Sequence, residues 1–357
     1  MNWKLIIPGT LGLFVILYFV SQLFMINPNF SEGSSTSLNI DDDGTIRLRA
    51  RWTDNEDDTR YRINASGEFE FSPDGKLTEI SDDGSISLQK DGNDIKEEIT
   101  IEPDDLGNPV VTYSKNDDET EMSADAQQWH DESILFIIRR TGLVAKERVE
   151  YMLAQGGVSM VLDEIDEIEW DSRINTYMEH LVQQATLTNE ELTRAIKLIA
   201  NNVDSSRRIQ FIYSVMLKNE EFNNETMTEL LKGAQMIDSD NRLAELLNEA
   251  ADYMMADDAA IKEFAEALDE IHSYRMVKRA MIALLDKVGP ELSDESFTVL
   301  LDASGEIEDD DHQDDVLRKM AEYLPEDGHL NDAFINAVNE GIGNQSRRER
   351  ILALVQK

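Results

Sequence analysis

The chain has 357 residues, 41% of them hydrophobic, and carries 73 acidic side chains against 33 basic ones, a formal charge of -40. That hydrophobic share excludes wholesale disorder, the length suits roughly two or three domains, and a field this negative repels nucleic-acid phosphates and excludes nucleic acid as a partner. With no cysteine anywhere, a disulfide framework, a thiol nucleophile and a thiol-linked lipid are excluded as well.

From Leu5 to Ile26 the chain runs 22 residues without a charge. About 20 apolar residues span the hydrocarbon core of a bilayer. The run exceeds the apolar region of a cleavable signal, and Phe24, Met25, Ile26, Asn27 and Pro28 do not form a small-x-small cleavage site. Residues 1–27 are therefore expected to be a transmembrane signal anchor inserted through residues 5–26. Lys4 is the only charge before the run and acidic chain follows it, so the positive-inside rule places the N-terminus in the cytoplasm and the bulk outside, in a bacterial periplasm. Residues 28–44, with Ser31, Gly33, Ser34, Ser35 and Ser37, read as a polar tether.

Alternation begins at Thr45. Ile46, Leu48 and Ala50 interleave with Arg47, Arg49 and Arg51, and Phe69 and Phe71 with Glu68 and Glu70, the period of half-buried strands. Asp-Gly pairs at 43–44, 74–75, 83–84 and 91–92 supply hairpin turns. Residues 45–118 are thus predicted to form a small antiparallel β domain of about six strands. Asn39, Asp41, Asp43 and Gly44 match the opening of a calcium-binding EF-hand loop, but Ala50 stands where that loop needs a bidentate Glu. Turn chemistry explains the Asp-Gly pairs without an ion.

Residues 123–157 are predicted to form two capping helices. The first runs from an N-cap at Ser123 through Ala124–Thr141 to a stop at Gly142, and the second from Ala145 to Gln155, ending at Gly156-Gly157. The first is expected to cover the exposed end of a helical array.

Residues 158–357 carry that array. Six copies of one pattern are anchored on Ile168, Val203, Ile237, Ile271, Ile307 and Ile342, at intervals of 35, 34, 34, 36 and 35 residues. Two positions after each anchor stand Trp170, Ser205, Ser239, Ser273, Asp309 and Asn344, so all copies but the first offer a helix N-cap. Nine and thirteen positions after it, apolar side chains such as Tyr177 and Leu181 or Leu246 and Ala250 line one helical face. Seven before it come Val161, Ile196, Leu230, Phe264, Leu300 and Ile335 on a preceding helix. Two helices at a period of 20 to 50 residues predict an α-solenoid. The fold class expected is α+β: a transmembrane helix, a β domain, and about six helical hairpins of HEAT or TPR type.

Chemistry-bearing motifs are sparse. His130, His180, His272, His312 and His329 are scattered, and no metalloprotease, nucleophile-elbow or phosphate-loop motif occurs. Asp309–Asp311 with Asp314 and Asp315 suggest cation chelation, but carboxylates at a helix N-terminus stabilise its dipole in any case. Glu164 and Glu167 are expected on a solvated helix face. Arg173, Arg208, Arg242 and Arg347 recur five positions after the anchors. They form a candidate protein-binding ridge for acidic groups, the bland reading being local pairing. No catalytic, cofactor or metal residue is assigned. The acidic surplus itself reads either as a solubility or salt adaptation or as a field for basic partners.

Ile137-Ile138-Arg139-Arg140-Thr141-Gly142, Lys146-Glu147-Arg148-Val149, Met152-Leu153-Ala154-Gln155-Gly156-Gly157 and Val161-Leu162-Asp163-Glu164-Ile165, with Trp129 upstream, resemble a group of bacterial membrane-anchored proteins. In that group a small β domain precedes helical repeats bearing Ile-x-Ser-Asp-Tyr, and similar regions lie behind BlaR-type sensor metallopeptidases. Ile237-Asp238-Ser239-Asp240 is the nearest copy here, with Asn241 in place of the Tyr. The resemblance implies an extracytoplasmic interaction module and supplies no peptidase. The function expected is a membrane-anchored scaffolding or sensing module that binds another envelope protein. The alternatives are a cell-surface adhesion protein and a cation-dependent hydrolase built on Asp309–Asp311.

Overall fold

The computed structural model describes residues 35–42, 44–53, 59–92, 95–325 and 328–355, and the predicted membrane anchor lies outside them. Among the described residues no helix is long and apolar enough to cross a membrane. The protein is α+β, with an antiparallel sheet followed by thirteen α-helices among the described residues. It divides into two compact units, one up to Ile138 and one from Arg139.

Strands β1 (Ser35–Ile40), β2 (Ile46–Thr53), β3 (Arg60–Gly67), β6 (Ser85–Gly92), β7 (Ile95–Pro103), β8 (Pro109–Lys115) and β9 (Asp118–Glu119) form a sheet in that order. β4 (Phe69–Phe71) and β5 (Leu77–Ile80) pair as a separate ribbon. Residues 35–40, assigned from composition to the tether, are instead the edge strand. Leu38 pairs with Leu48 and Ile40 with Ile46, an apolar register that a Ser-rich composition conceals. The hairpin at 91–92 is also displaced. Asp91 and Gly92 are paired residues of β6, opposite Lys96 and Ile95. Asn116 and Asp117, both at positive φ, turn β8 into β9 as a two-residue loop of the type that matches strand twist.

Alternation determines which face is covered. Ile46, Leu48, Ala50, Tyr61, Ile63, Ala65, Ile86, Leu88, Ile99 and Ile101 are buried on one side of the sheet, with Arg47, Arg49, Arg51, Arg60 and Arg62 exposed on the other. Gly67, at φ 126, allows the ribbon to approach, since a Cβ there would lie 2.5 Å from the Gly84 backbone. Helix α1 (Ala124–Thr141) starts as predicted, Ala126 N–H donating to Ser123 Oγ at 3.1 Å. Its Phe136 ring lies 5.8 Å from Trp52, which stacks on Tyr61 at 5.2 Å. Gly142, at φ 73, ends it.

The second unit contains α2 (Ala145–Asp166), α3 (Asp171–Gln184), α4 (Asn189–Asn202), α5 (Ser206–Met216), α6 (Asn224–Ala234), α7 (Asp240–Tyr253), α8 (Asp258–Asp269), α9 (Tyr274–Val288), α10 (Asp294–Gly305), α11 (Asp310–Ala321), α12 (Asn331–Gly341) and α13 (Gln345–Val355). Each helix packs on the one two further along, so even and odd helices make two layers around one continuous core. All six anchor residues are buried, and the odd helices from α3 to α13 start after the predicted caps. α2 continues past Gln155 to Asp166, broken only by the non-helical Gly157. In the last copy Phe334 and Val338 are buried, while Ile335, seven before its anchor, is only partly covered.

Candidate interaction surfaces

The caps place the first turns of the odd helices, and their chemistry differs from the sequence expectation. Ser205, Ser239 and Ser273 occupy N-cap positions but make no side-chain cap bond. A carboxylate from the preceding copy takes part of the work. Asp171 Oδ2 accepts from the backbone N–H groups of Asp204 at 3.0 Å and Ser205 at 3.1 Å. Asp310 accepts from Gly343 at 3.1 Å and Asn344 at 2.9 Å in the same way. Each of these carboxylates stands three positions after its anchor, on the first helical turn where the dipole favours negative charge, and ties one copy to the next. Asp240, at the equivalent position, lies 3.5 Å from the His272 ring.

The arginine ridge follows the same rule. Arg173 Nε donates to the Arg140 carbonyl at 3.2 Å, Arg208 lies 3.9 Å from Asp171, Arg242 donates to Gln210 at 3.3 Å, and Arg347 pairs with Asp311. Each of these partners is 32 to 37 residues earlier, and Arg242 also pairs with Glu245 on its own helix at 3.5 Å. Local pairing is therefore the geometry of all four. Met276 and His312 interrupt the series at the other two copies. Arg140, stacked 4.6 Å over the Trp170 ring, is half-buried, and burial together with the Arg173 charge lowers its pKa.

A buried ion network at the start of the second unit was not legible as such. Glu164, expected on a solvated face, accepts from Arg139 Nη2 at 2.8 Å and Arg148 Nη2 at 2.7 Å, with only 10% of its side chain exposed. Arg148 Nε donates to the Tyr177 hydroxyl at 3.2 Å. Burial pushes the Glu164 carboxyl up, but the two guanidiniums outweigh it and hold the group below the ordinary carboxylate range. Burial raises Tyr177, so it serves as a neutral hydrogen-bond acceptor. Arg148 lies among Ala145, Val149 and Met152, all buried. A charge within that i, i+3, i+4 and i+7 stripe is the sequence signal that points to the network.

The acidic cluster does not converge. Asp309 caps α11 through Asp311 N–H and His312 N–H, each at 3.0 Å. Asp314 pairs with Arg318 at 3.0 Å and Asp315 with Lys278 at 2.9 Å, while Asp310 and Asp311 are engaged with the last copy. Among the described residues no group of three or more His, Cys, Asp or Glu is arranged to hold a metal ion. At the calcium-like turn, Asp41 accepts from Asn39 at 2.6 Å and pairs with Arg47. Asp43 lies outside the described residues.

Large apolar side chains remain uncovered on the second unit: Phe211 is 43% exposed, Tyr253 44%, Met255 56% and Met236 57%. Comparison of the chain with protein families, with curated proteins and with solved structures finds no match.

Proposed function

We propose that the chain is a membrane-anchored, extracytoplasmic scaffolding or sensing module whose helical region, an α-solenoid of six hairpins of HEAT or TPR type, binds another envelope protein. The observation that carries this reading is the division of labour on that region. Charged side chains of one copy are engaged with the next, as Asp171 with the Ser205 backbone N–H and Asp311 with Arg347, while Phe211, Met236, Tyr253 and Met255 are left exposed. An array stitched internally by its charges and bearing apolar side chains outside has the makings of a protein-binding surface. The sensing role extends the resemblance to regions behind BlaR-type sensors. In this reading the run Leu5–Ile26 is a single span with Lys4 in the cytoplasm.

Protease added to intact spheroplasts tests the topology. Digestion of residues 45–357 while cytoplasmic markers survive is the expected outcome. Protection of that segment would overturn the orientation.

A further inference from the structure

Over residues 35–123 acidic side chains outnumber basic ones 24 to 9, yet every arginine in the interval, Arg47, Arg49, Arg51, Arg60 and Arg62, lies on β2 or β3. All five are exposed on one face of those neighbouring strands. The register sets Arg51 directly opposite Arg62, Arg49 opposite Asn64, Arg47 opposite Ser66, and Arg60 opposite Thr53. On the flanking strands, Ser35, Ser37 and Asn39 stand beside Arg51, Arg49 and Arg47. Ser85, Ser87 and Gln89 stand beside Ser66, Asn64 and Arg62. The neighbours are thus short or neutral, apart from Asp91 opposite Arg60.

Carboxylates are abundant in this unit, but those among the described residues do not neutralise the face. Arg47 pairs with Asp41, and Arg62 donates to Gln89 at 3.4 Å. Among the described residues Arg49, Arg51 and Arg60 form no ion pair. Like charges directly opposite each other on adjacent strands destabilise a sheet, so folding does not account for Arg51 facing Arg62. The five arginines thus share one face of two paired strands, their backbone positions about 6.7 Å apart along a strand and about 4.8 Å between strands. Each guanidinium presents the forked donors that fit phosphate oxygens.

Position in the chain selects the phosphate source. Residues 27–34 are all that separate Ile26, the end of the apolar run, from Ser35, the start of β1, and that length reaches about 30 Å at full extension. β1, β2 and β3, which carry or flank the arginines, are the strands nearest that run in sequence. We propose that the arginine face of β2–β3 docks on the anionic headgroups of the same membrane that holds the apolar run. This rests on the anchor reading above. Each Arg adds favourable energy within a Debye length of an anionic surface, and arginines that share one face of two paired strands engage that surface together.

Because the chain has no cysteine, Ser66→Cys in the full chain gives a single label site on the same face. The fluorophore-labelled chain is reconstituted into phosphatidylcholine vesicles with or without phosphatidylglycerol, each containing a trace lipid with a nitroxide quencher on its headgroup. Quenching should be at least about twofold stronger with phosphatidylglycerol. It should collapse in 1 M salt, where the Debye length is about 3 Å, and in the variant carrying R49Q, R51Q, R60Q and R62Q, checked by circular dichroism to be folded. Equal quenching in the two vesicle types in the otherwise unsubstituted chain overturns the proposal whether or not the variant folds. So does shielding of the label by polyglutamate with no response to lipid, which would assign the face to an acidic polypeptide. Release of the chain by carbonate washing is a separate readout, and it would count against the anchor reading while the quenching still decides the fate of the arginine face.

Discussion

The two units treat positive charge in opposite ways. In the helical region the recurring arginines reach back along the chain, Arg173 to the Arg140 carbonyl and the others to the preceding copy, and Arg139 and Arg148 converge on one buried carboxylate. On the sheet, Arg49 and Arg51 of β2 and Arg60 of β3 share a face without an ion pair among the described residues, although the unit is acidic. The same side chain is therefore part of the fold in one unit and surplus to it in the other. Substitutions should separate the two roles.

The largest effect is expected at Glu164. Replacing it with Gln leaves Arg148 buried without a counter-charge and Arg139 with only Glu167 at 3.7 Å, a change that costs about 3 to 5 kcal/mol. Denaturant unfolding followed in the helical signal measures it. Because the folded-state pKa of Glu164 is depressed, its contribution is fully present above the unfolded value near about 4.3 and is lost as pH falls through the folded value. The gap between the original chain and Glu164→Gln should therefore be wide at neutral pH and narrow as pH falls from about 4.3 toward the folded value. A gap independent of pH would show that packing, not charge, sets the cost.

Next comes Ile237→Ala at a buried anchor, expected to destabilise by about 2 to 5 kcal/mol. Glu245→Ala on the exposed face of α7 should stay within about 0.5 kcal/mol. Equal losses at the two sites would mean that the repeat phase is misassigned.

Asp171→Ala removes the acceptor for two backbone N–H groups of the following copy and should cost about 1 to 2 kcal/mol. Ser205→Ala at the cap itself should cost less, since Ser205 makes no side-chain cap bond. Thermal unfolding of the pair ranks them, and the reverse order would place the cap in the serine after all.

These contrasts mark what the sequence could and could not convey. The anchors and the helix starts that follow them were legible because a hairpin that repeats every 34 to 36 residues writes its core in the same places each time. The alternation of β2 and β3 was legible because one face of a sheet excludes water and the other does not. β1 was hidden because an edge strand needs few apolar residues, and only Leu38 and Ile40 betray it. Glu164 was misread because i, i+3 spacing with Glu167 describes only its own helix, whereas its partners Arg139 and Arg148 lie 25 and 16 residues earlier. The arginine ridge was legible as a period but not as a set of ties, since its partners depend on how far one copy is offset from the next.

On the sheet a small effect of opposite sign is expected. Arg51→Thr relieves the direct opposition to Arg62 and should stabilise the β unit by about 0.2 to 1 kcal/mol. A loss of stability would mean that the arginine supports the fold and would merge the two classes of charge.

The reading of the chain as a partner-binding module is tested most directly by a photo-reactive residue placed at Phe211 or Met236, both uncovered on the helical region, in intact cells. A discrete crosslink from these positions to another envelope protein, absent when the probe replaces the buried Phe264, is the predicted result. An exported, folded chain that yields no adduct from either exposed position, or adducts with cytoplasmic proteins alone, would contradict it.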